Sequence, residues 1–221
     1  MNMAAPVAVI FDMDGTLVDT ERVAQMAWRR AAQDLGLPVP DRIFDAFVGC
    51  SIPNARAMIN AEFGDEALTD RLFAHQAELF FALEDEKLEV RPGALEAIQT
   101  LDAAGVTVAL ATSTAREHAM PLMERFGMAP YFAATVCGDE VERSKPEPDI
   151  YLKTARCLGV EPAACAAAED SNNGARAAIA AGMRTYMIPE WTSPAQDVRA
   201  GCAGILQSLF ELPPLVLAPT C

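Results

Sequence analysis

Two carboxylates, Asp12 and Asp14, follow directly on the apolar run Val7-Ala8-Val9-Ile10-Phe11, and Gly15 comes next. A carboxylate can attack phosphorus and so split one hard displacement into two easier ones. An anionic nucleophile is repelled by a phosphate, so such a site also needs a divalent cation and positive groups on the transferring oxygens. Three later stretches carry residue types of that kind. Ala111-Thr112-Ser113-Thr114 offers the Thr112 hydroxyl, and the spacing of Thr114 and Glu117 predicts a capping box at a helix start whose free amides favour an anion. Ser144-Lys145-Pro146-Glu147-Pro148 sets one of only three lysines (Lys87, Lys145, Lys153) between a hydroxyl and a proline turn. Glu169-Asp170-Ser171-Asn172-Asn173-Gly174 offers adjacent carboxylates, suited to a hard cation such as Mg²⁺. Each stretch taken alone has a plainer reading as turn residues, helix caps or a solvated lysine.

The elements that would position these groups follow from hydrophobic spacing. Val7–Phe11 reads as a buried parallel strand. From Thr20 to Glu86 the pattern is helical throughout: one helix through Ala24, Trp28 and Leu35, then three through Ile43–Phe47, Ala55–Phe63 and Leu68–Leu83. Four successive helices after one strand predict a separate small helical domain. From Glu89 onward helices and strands alternate. Strands are expected at Val106–Ala111, Thr135–Cys137, Ala164–Ala168 and, as the last, Thr185–Ile188, with helices from Leu95, Thr114, Pro148 and Ala175 between and after them. The alanines at 164–168 favour helix by propensity, and only their flanks argue for a strand. This order predicts an α/β, doubly wound, Rossmann-like parallel sheet made of residues 1–18 and 87–221, with residues 19–86 inserted as a helical cap. Ligands in such sheets bind beyond the carboxyl ends of the strands. The apolar, proline-rich tail Leu212–Cys221 has no clear place in this scheme.

Composition narrows the partners. The 221 residues are 52% hydrophobic and 22% charged, enough for one sizeable core, and the formal net charge of -14 with no basic run argues against nucleic acid and anionic membrane surfaces. The six cysteines show no Cys-x-x-Cys spacing and no histidine partners, so they read as reduced thiols rather than zinc ligands. The apolar N-terminal run is too short for a signal or spanning helix, and a cytoplasmic protein is expected.

The string Asp12-Met13-Asp14-Gly15-Thr16-Leu17-Val18-Asp19-Thr20 after an apolar strand resembles the first motif of the haloacid dehalogenase superfamily, in its phosphatase and phosphomutase branch. The stretches at 111–114, 144–148 and 169–174 resemble its second, third and fourth motifs, in the same order. The resemblance implies a Rossmann-like core with a helical cap and a Mg²⁺ cofactor. It implies Asp12 as nucleophile and metal ligand, and Asp14 as general acid and then base, with its backbone carbonyl also on the metal. It implies Thr112, Ser113 and Lys145 as phosphate-binding residues, and Asp170 with Glu169 completing the metal site, Glu169 through water in one variant.

The same resemblance orders the reactions. Dehalogenase and phosphonate-cleaving members lack the second acid, which Asp14 supplies here, and the latter use a cap lysine where residues 20–86 contain none. The sugar phosphomutases share the core motifs but place an arginine at the position of Ile52 and a histidine at that of Ala24. Hydrolysis of a small phosphorylated metabolite, a sugar phosphate or phosphoglycolate-like acid, is therefore expected ahead of phosphomutase isomerisation, and both ahead of a non-catalytic binding role. Cys50, Ser51, Asn54 and His75 are the candidate substrate contacts in the cap. A monomer and a dimer are equally compatible with the sequence.

Overall fold

The structure is a computed structural model and describes residues 6–47 and 52–218. Strand β1 (Ala8–Phe11) is followed by four helices, α1 (Thr20–Asp34), α2 (Asp41–Phe47), α3 (Ile52–Phe63) and α4 (Glu66–Lys87). The chain then alternates: α5 (Ala94–Ala103), β2 (Thr107–Ala111), α6 (Arg116–Arg125), β3 (Phe132–Val136), α7 (Asp149–Leu158), β4 (Cys165–Glu169), α8 (Asn172–Ala180) and β5 (Arg184–Met187), ending with α9 (Gln196–Gly201), β6 (Gly204–Ile205) and α10 (Leu212–Leu217). The strands form one parallel sheet in the order β3-β2-β1-β4-β5-β6. The chain builds outward from β1 through β2 to β3 and then returns to lay β4 on the other side of β1. That reversal beside β1 is where open α/β sheets hold ligands.

Register brings the motif stretches level. Phe11 stands opposite both Leu110 of β2 and Ala168 of β4, so the residues that leave these three strands start from the same carboxyl end of the sheet. Strand β4 is fully buried, and its Cys165 and Ala167 lie in one core with Ala177, Ala178 and Ala181, on and just after α8. Burial between β1 and β5 overrides the helical preference of alanine, and methyl-sized side chains let the helix lie close to the strand.

The chain divides into two compact units, residues 1–18 with 90–221 and residues 19–89. The return to the sheet-bearing unit lies at Val90 rather than Lys87, because α4 runs on through Lys87. The helical unit has its own core, with Trp28 packed edge-on between Phe47 and Phe73 at centroid distances of 4.9 and 4.7 Å.

Two expectations need correction. Residues 184–187 are not the last strand, since two residues of β6 add to the sheet edge; a two-residue strand leaves no alternation to read. The helix expected from Thr114 starts at Arg116, with Ala115 at its cap position and no capping box. Asp139 Oδ1 instead accepts the free Arg116 amide at 3.0 Å, and Thr114 is left for another task. The described part of the tail does have a place: residues 212–217 form α10, which lies against α5 and has Leu212, Pro213 and Val216 buried.

Candidate active site

Asp12 is the first residue beyond β1, and its amide still donates to Ala168 of β4 at 3.0 Å, which fixes its backbone in the sheet. Lys145 reaches it from the loop between β3 and α7, where the Lys145–Pro146 peptide is cis. Its Nζ donates to Asp12 Oδ1 at 2.5 Å, Glu169 Oε1 at 2.7 Å and the Ala111 carbonyl at 3.1 Å. Three acceptors from three strand ends converge on one ammonium group. The side chains of Lys145 and Asp12 are each 8% exposed, and Glu169 is fully buried.

Asp14 points its carboxylate to the loop after β2. Oδ2 accepts the Thr114 hydroxyl at 2.6 Å and the Thr112 hydroxyl at 3.2 Å. Thr112 Oγ1 also accepts the Thr114 amide at 3.0 Å, so the loop is tied to itself before it is tied to Asp14. A side chain at Gly138 would strike the Ser113 carbonyl, and the Gly138 amide donates to the Thr114 carbonyl at 3.0 Å, so the turn after β3 braces this loop from behind. Ser113 itself is exposed.

Glu169 ends β4 and Asp170 follows it. Neither caps α8: Ser171 does, its hydroxyl accepting from the Gly174 amide at 3.0 Å. The two carboxylates are thereby released from the plain reading. Glu169 Oε2 accepts the Ser171 hydroxyl at 3.2 Å, while Oε1 is shared by Lys145 and by the Tyr151 phenol at 2.7 Å. Asp170 Oδ1 accepts the Thr16 hydroxyl at 3.3 Å. Gly15, at φ +76°, lets the chain turn back under Asp170, and a Cβ there would run into that carboxylate.

Carboxylate oxygens of Asp12, Glu169 and Asp170 lie within 4.8 Å of one another. One lysine offsets three acids in a buried place, and the charge imbalance shows in their proton affinities. Burial first, then the Glu169 charge, pushes the Asp12 carboxyl well above its usual range, with Lys145 opposing. The same two causes push Asp170 up to about 8. For Lys145 burial opposes the charge, but Asp12 and Glu169 outweigh it and hold the ammonium protonated. Burial and the Glu169 charge raise the Tyr151 phenol, which stays a neutral donor. An oxygen-only donor set with surplus buried negative charge fits a hard divalent cation. The acidic group can hold a metal ion.

Asp12, Asp14, Thr112, Lys145, Glu169 and Asp170 thus meet around the ends of β1, β2 and β4, while exposed Ser113 makes no side-chain hydrogen bond to them. Thr16, Thr114 and Tyr151 belong with them and were missed. Thr114 was concealed by its fit to a capping box; Tyr151 was concealed in the apolar stripe of α7, where one polar tip among Ile150, Thr154 and Ala155 was the available signal. In the helical unit, Cys50 and Ser51 lie outside the described residues. Asn54 is exposed in the first turn of α3. His75 is engaged with its own unit, Nε2 lying 3.1 Å from Asp34 Oδ2 and Nδ1 3.7 Å from Glu78 Oε2.

The haloacid dehalogenase-like hydrolase family matches residues 7–182. The chain belongs to that family. It is 33% identical over 186 residues to the phosphorylated carbohydrates phosphatase of Thermotoga maritima, covering 82% of this chain and 84% of that one. It is 34% identical over 185 residues to the fructose-1-phosphate phosphatase YqaB of Escherichia coli, covering 79% of this chain and 92% of the relative. Among solved structures, a mutant of CbbY from Rhodobacter sphaeroides in complex with xylulose-(1,5)bisphosphate shares the fold with a TM-score of 0.74 and 30% identity, covering 94% of this chain and 96% of that one. This member of the haloacid dehalogenase-like hydrolases is an enzyme of the phosphatase type. Among its described residues no helix is long and apolar enough to cross a membrane.

Proposed function

We infer that the enzyme is a Mg²⁺-dependent phosphomonoester hydrolase acting on a small phosphorylated metabolite, a sugar phosphate or a phosphoglycolate-like acid, through an aspartyl phosphate at Asp12. The observation that carries this reading is Lys145 bridging Asp12 and Glu169 at the end of the central strand, beside an acid held by two threonine hydroxyls. In the proposed first step an Asp12 carboxylate oxygen bonds to phosphorus, the ester P–O bond breaks, and Asp14 gives its proton to the departing oxygen. In the second, Asp14 takes a proton from water as that water attacks phosphorus, releasing phosphate and restoring Asp12. Lys145 balances the charge of Asp12 and of the phosphoryl oxygens, with Thr112 and Ser113 contributing donors. Asp12, Asp170, the Asp14 carbonyl and, through water, Glu169 would hold Mg²⁺, which when bound neutralises phosphoryl charge.

The named relatives act on phosphorylated sugars, which favours that substrate class. Choice among such substrates is assigned to the helical unit, with Cys50, Ser51, Asn54 and His75 as contacts, His75 being also paired with Asp34. Phosphate release from a panel of sugar phosphates and phosphoglycolate tests the reading. Asp12→Asn and chelation should each abolish release, a loss on the order of 10³-fold or more in kcat. Full activity in Asp12→Asn overturns the reading, as does isomer formation without phosphate release.

A further inference from the structure

Tyr151 is the largest fully buried side chain in the described structure, and its hydroxyl is not spent on folding α7. It donates to Glu169 Oε1 at 2.7 Å, the same oxygen that receives Lys145 at 2.7 Å. Its ring lies under the ammonium group, with Lys145 Nζ 5.1 Å from the ring centroid. One residue therefore meets both the Glu169 carboxylate and the Lys145 cation of the buried centre and, being fully buried, meets no substrate. A carboxylate held by a single donor can swing about its terminal bond; two donors on one oxygen and Ser171 on the other pin its plane. A cation facing a ring is further attracted by the ring's negative face.

We propose that Tyr151 is a positioning residue of this centre: its phenol pins Glu169 and its ring seats Lys145, so that the carboxylates at 12, 169 and 170 are preset for a divalent cation. The inference rests on the proposed function for its catalytic consequence, not for its metal arm. Outer partners that orient ligands commonly set metal affinity by about ten- to hundred-fold. A tyrosine is also the conservative choice to test, since phenylalanine keeps the ring and the volume and removes only the donor.

The experiment titrates Mg²⁺ calorimetrically into the metal-free full chain, without substrate. Tyr151→Phe should bind Mg²⁺ about ten- to hundred-fold more weakly than wild type. With substrate at saturating Mg²⁺, its kcat should fall about tenfold while KM stays near wild type, because the hydroxyl orients machinery rather than substrate. Ile150→Val trims the packing of the same helix and removes no side-chain hydrogen bond; it should lower Tm and leave Mg²⁺ affinity unchanged. Wild-type Mg²⁺ affinity in Tyr151→Phe overturns the proposal, and so does an equal loss of affinity in both variants, which would make it an effect of packing. A wild-type chain that takes up no Mg²⁺ overturns it too. A chain that binds Mg²⁺ but hydrolyses no phosphomonoester refutes the proposed function while leaving the metal arm decided on its own result.

Discussion

The two units of this chain differ in the charge they bury, though both carry exposed ion pairs, Arg143 with Asp149 and Arg176 with Asp197 among those of the sheet-bearing unit. In the helical unit, ion pairs sit at the surface: Arg30 with Asp34, Arg42 with Glu62, Arg29 with Asp45 and Arg56 with Asp70 all keep at least one partner well exposed. In the sheet-bearing unit, Lys145, Asp12 and Glu169 are withdrawn from water and left with more negative than positive charge. Exposed pairs contribute little and cost little, whereas a buried imbalance costs several kcal/mol per ion before any gain. A fold seeking stability alone would not place three acids round one lysine. The contrast shows where the molecule accepts instability in return for chemistry.

The sharpest way to break the comparison is at Lys145. Lys145→Ala strands buried carboxylates without their cation, so stability should fall by about 3–5 kcal/mol and phosphate release should vanish; urea melts with and without Mg²⁺ measure the first and an assay the second. Recovery of stability by Mg²⁺ would show that surplus charge, not lost packing, is the cause. Next in size is Thr114→Val, which removes the 2.6 Å hydrogen bond to Asp14 while keeping the side-chain shape. Hydrogen bonds to charged groups contribute about 1.5–3 kcal/mol, so kcat should drop about ten- to hundred-fold with KM little changed. A wild-type kcat would return Thr114 to the role of a loop residue.

On the other side of the comparison, Arg42→Ala should change stability by less than about 1 kcal/mol and leave kcat untouched. The smallest effect is expected at Asp34, whose carboxyl is held below its ordinary range by the hydrogen bond from His75 and then by that from Arg30. A group depressed in this way stabilises the fold above its unfolded pKa and loses that contribution as pH falls through the folded one. The Tm of Asp34→Asn should therefore vary less than wild type between neutral pH and the acid range. A variant as acid-sensitive as wild type would show that the pair contributes nothing measurable.

What could be read from the sequence divides along the same line. Asp12, Asp14, Glu169 and Asp170 stand out because strands end at or just before them and glycine follows nearby, and Lys145 because it is a rare lysine set against a proline turn, breaks in pattern that few structural needs require. Thr114 fits a capping box as well as a site, and sequence spacing cannot separate two jobs that use the same hydroxyl. Tyr151 sits where an apolar helix face predicts packing, and only the position of Glu169 at the end of the next strand reveals its partner. Strand β4 had propensity against it and tertiary burial for it, and burial prevailed. The helical unit was legible as helices, while the residues that would choose a substrate were not, since exposed polar positions on helices all look alike.

Between β4 and α8 runs a seam of alanines, Ala167 against Ala177 and Ala178. Where strand and helix meet through methyl groups there is no longer side chain to fold away, so the two cannot slide past each other, and the short turn between them is strung like a wire between fixed posts. Asp170 hangs on that wire. Its aim is inherited from bulk that the chain leaves out, and a single valine at Ala167 or Ala178 would put the wire out of tune without altering any charged residue.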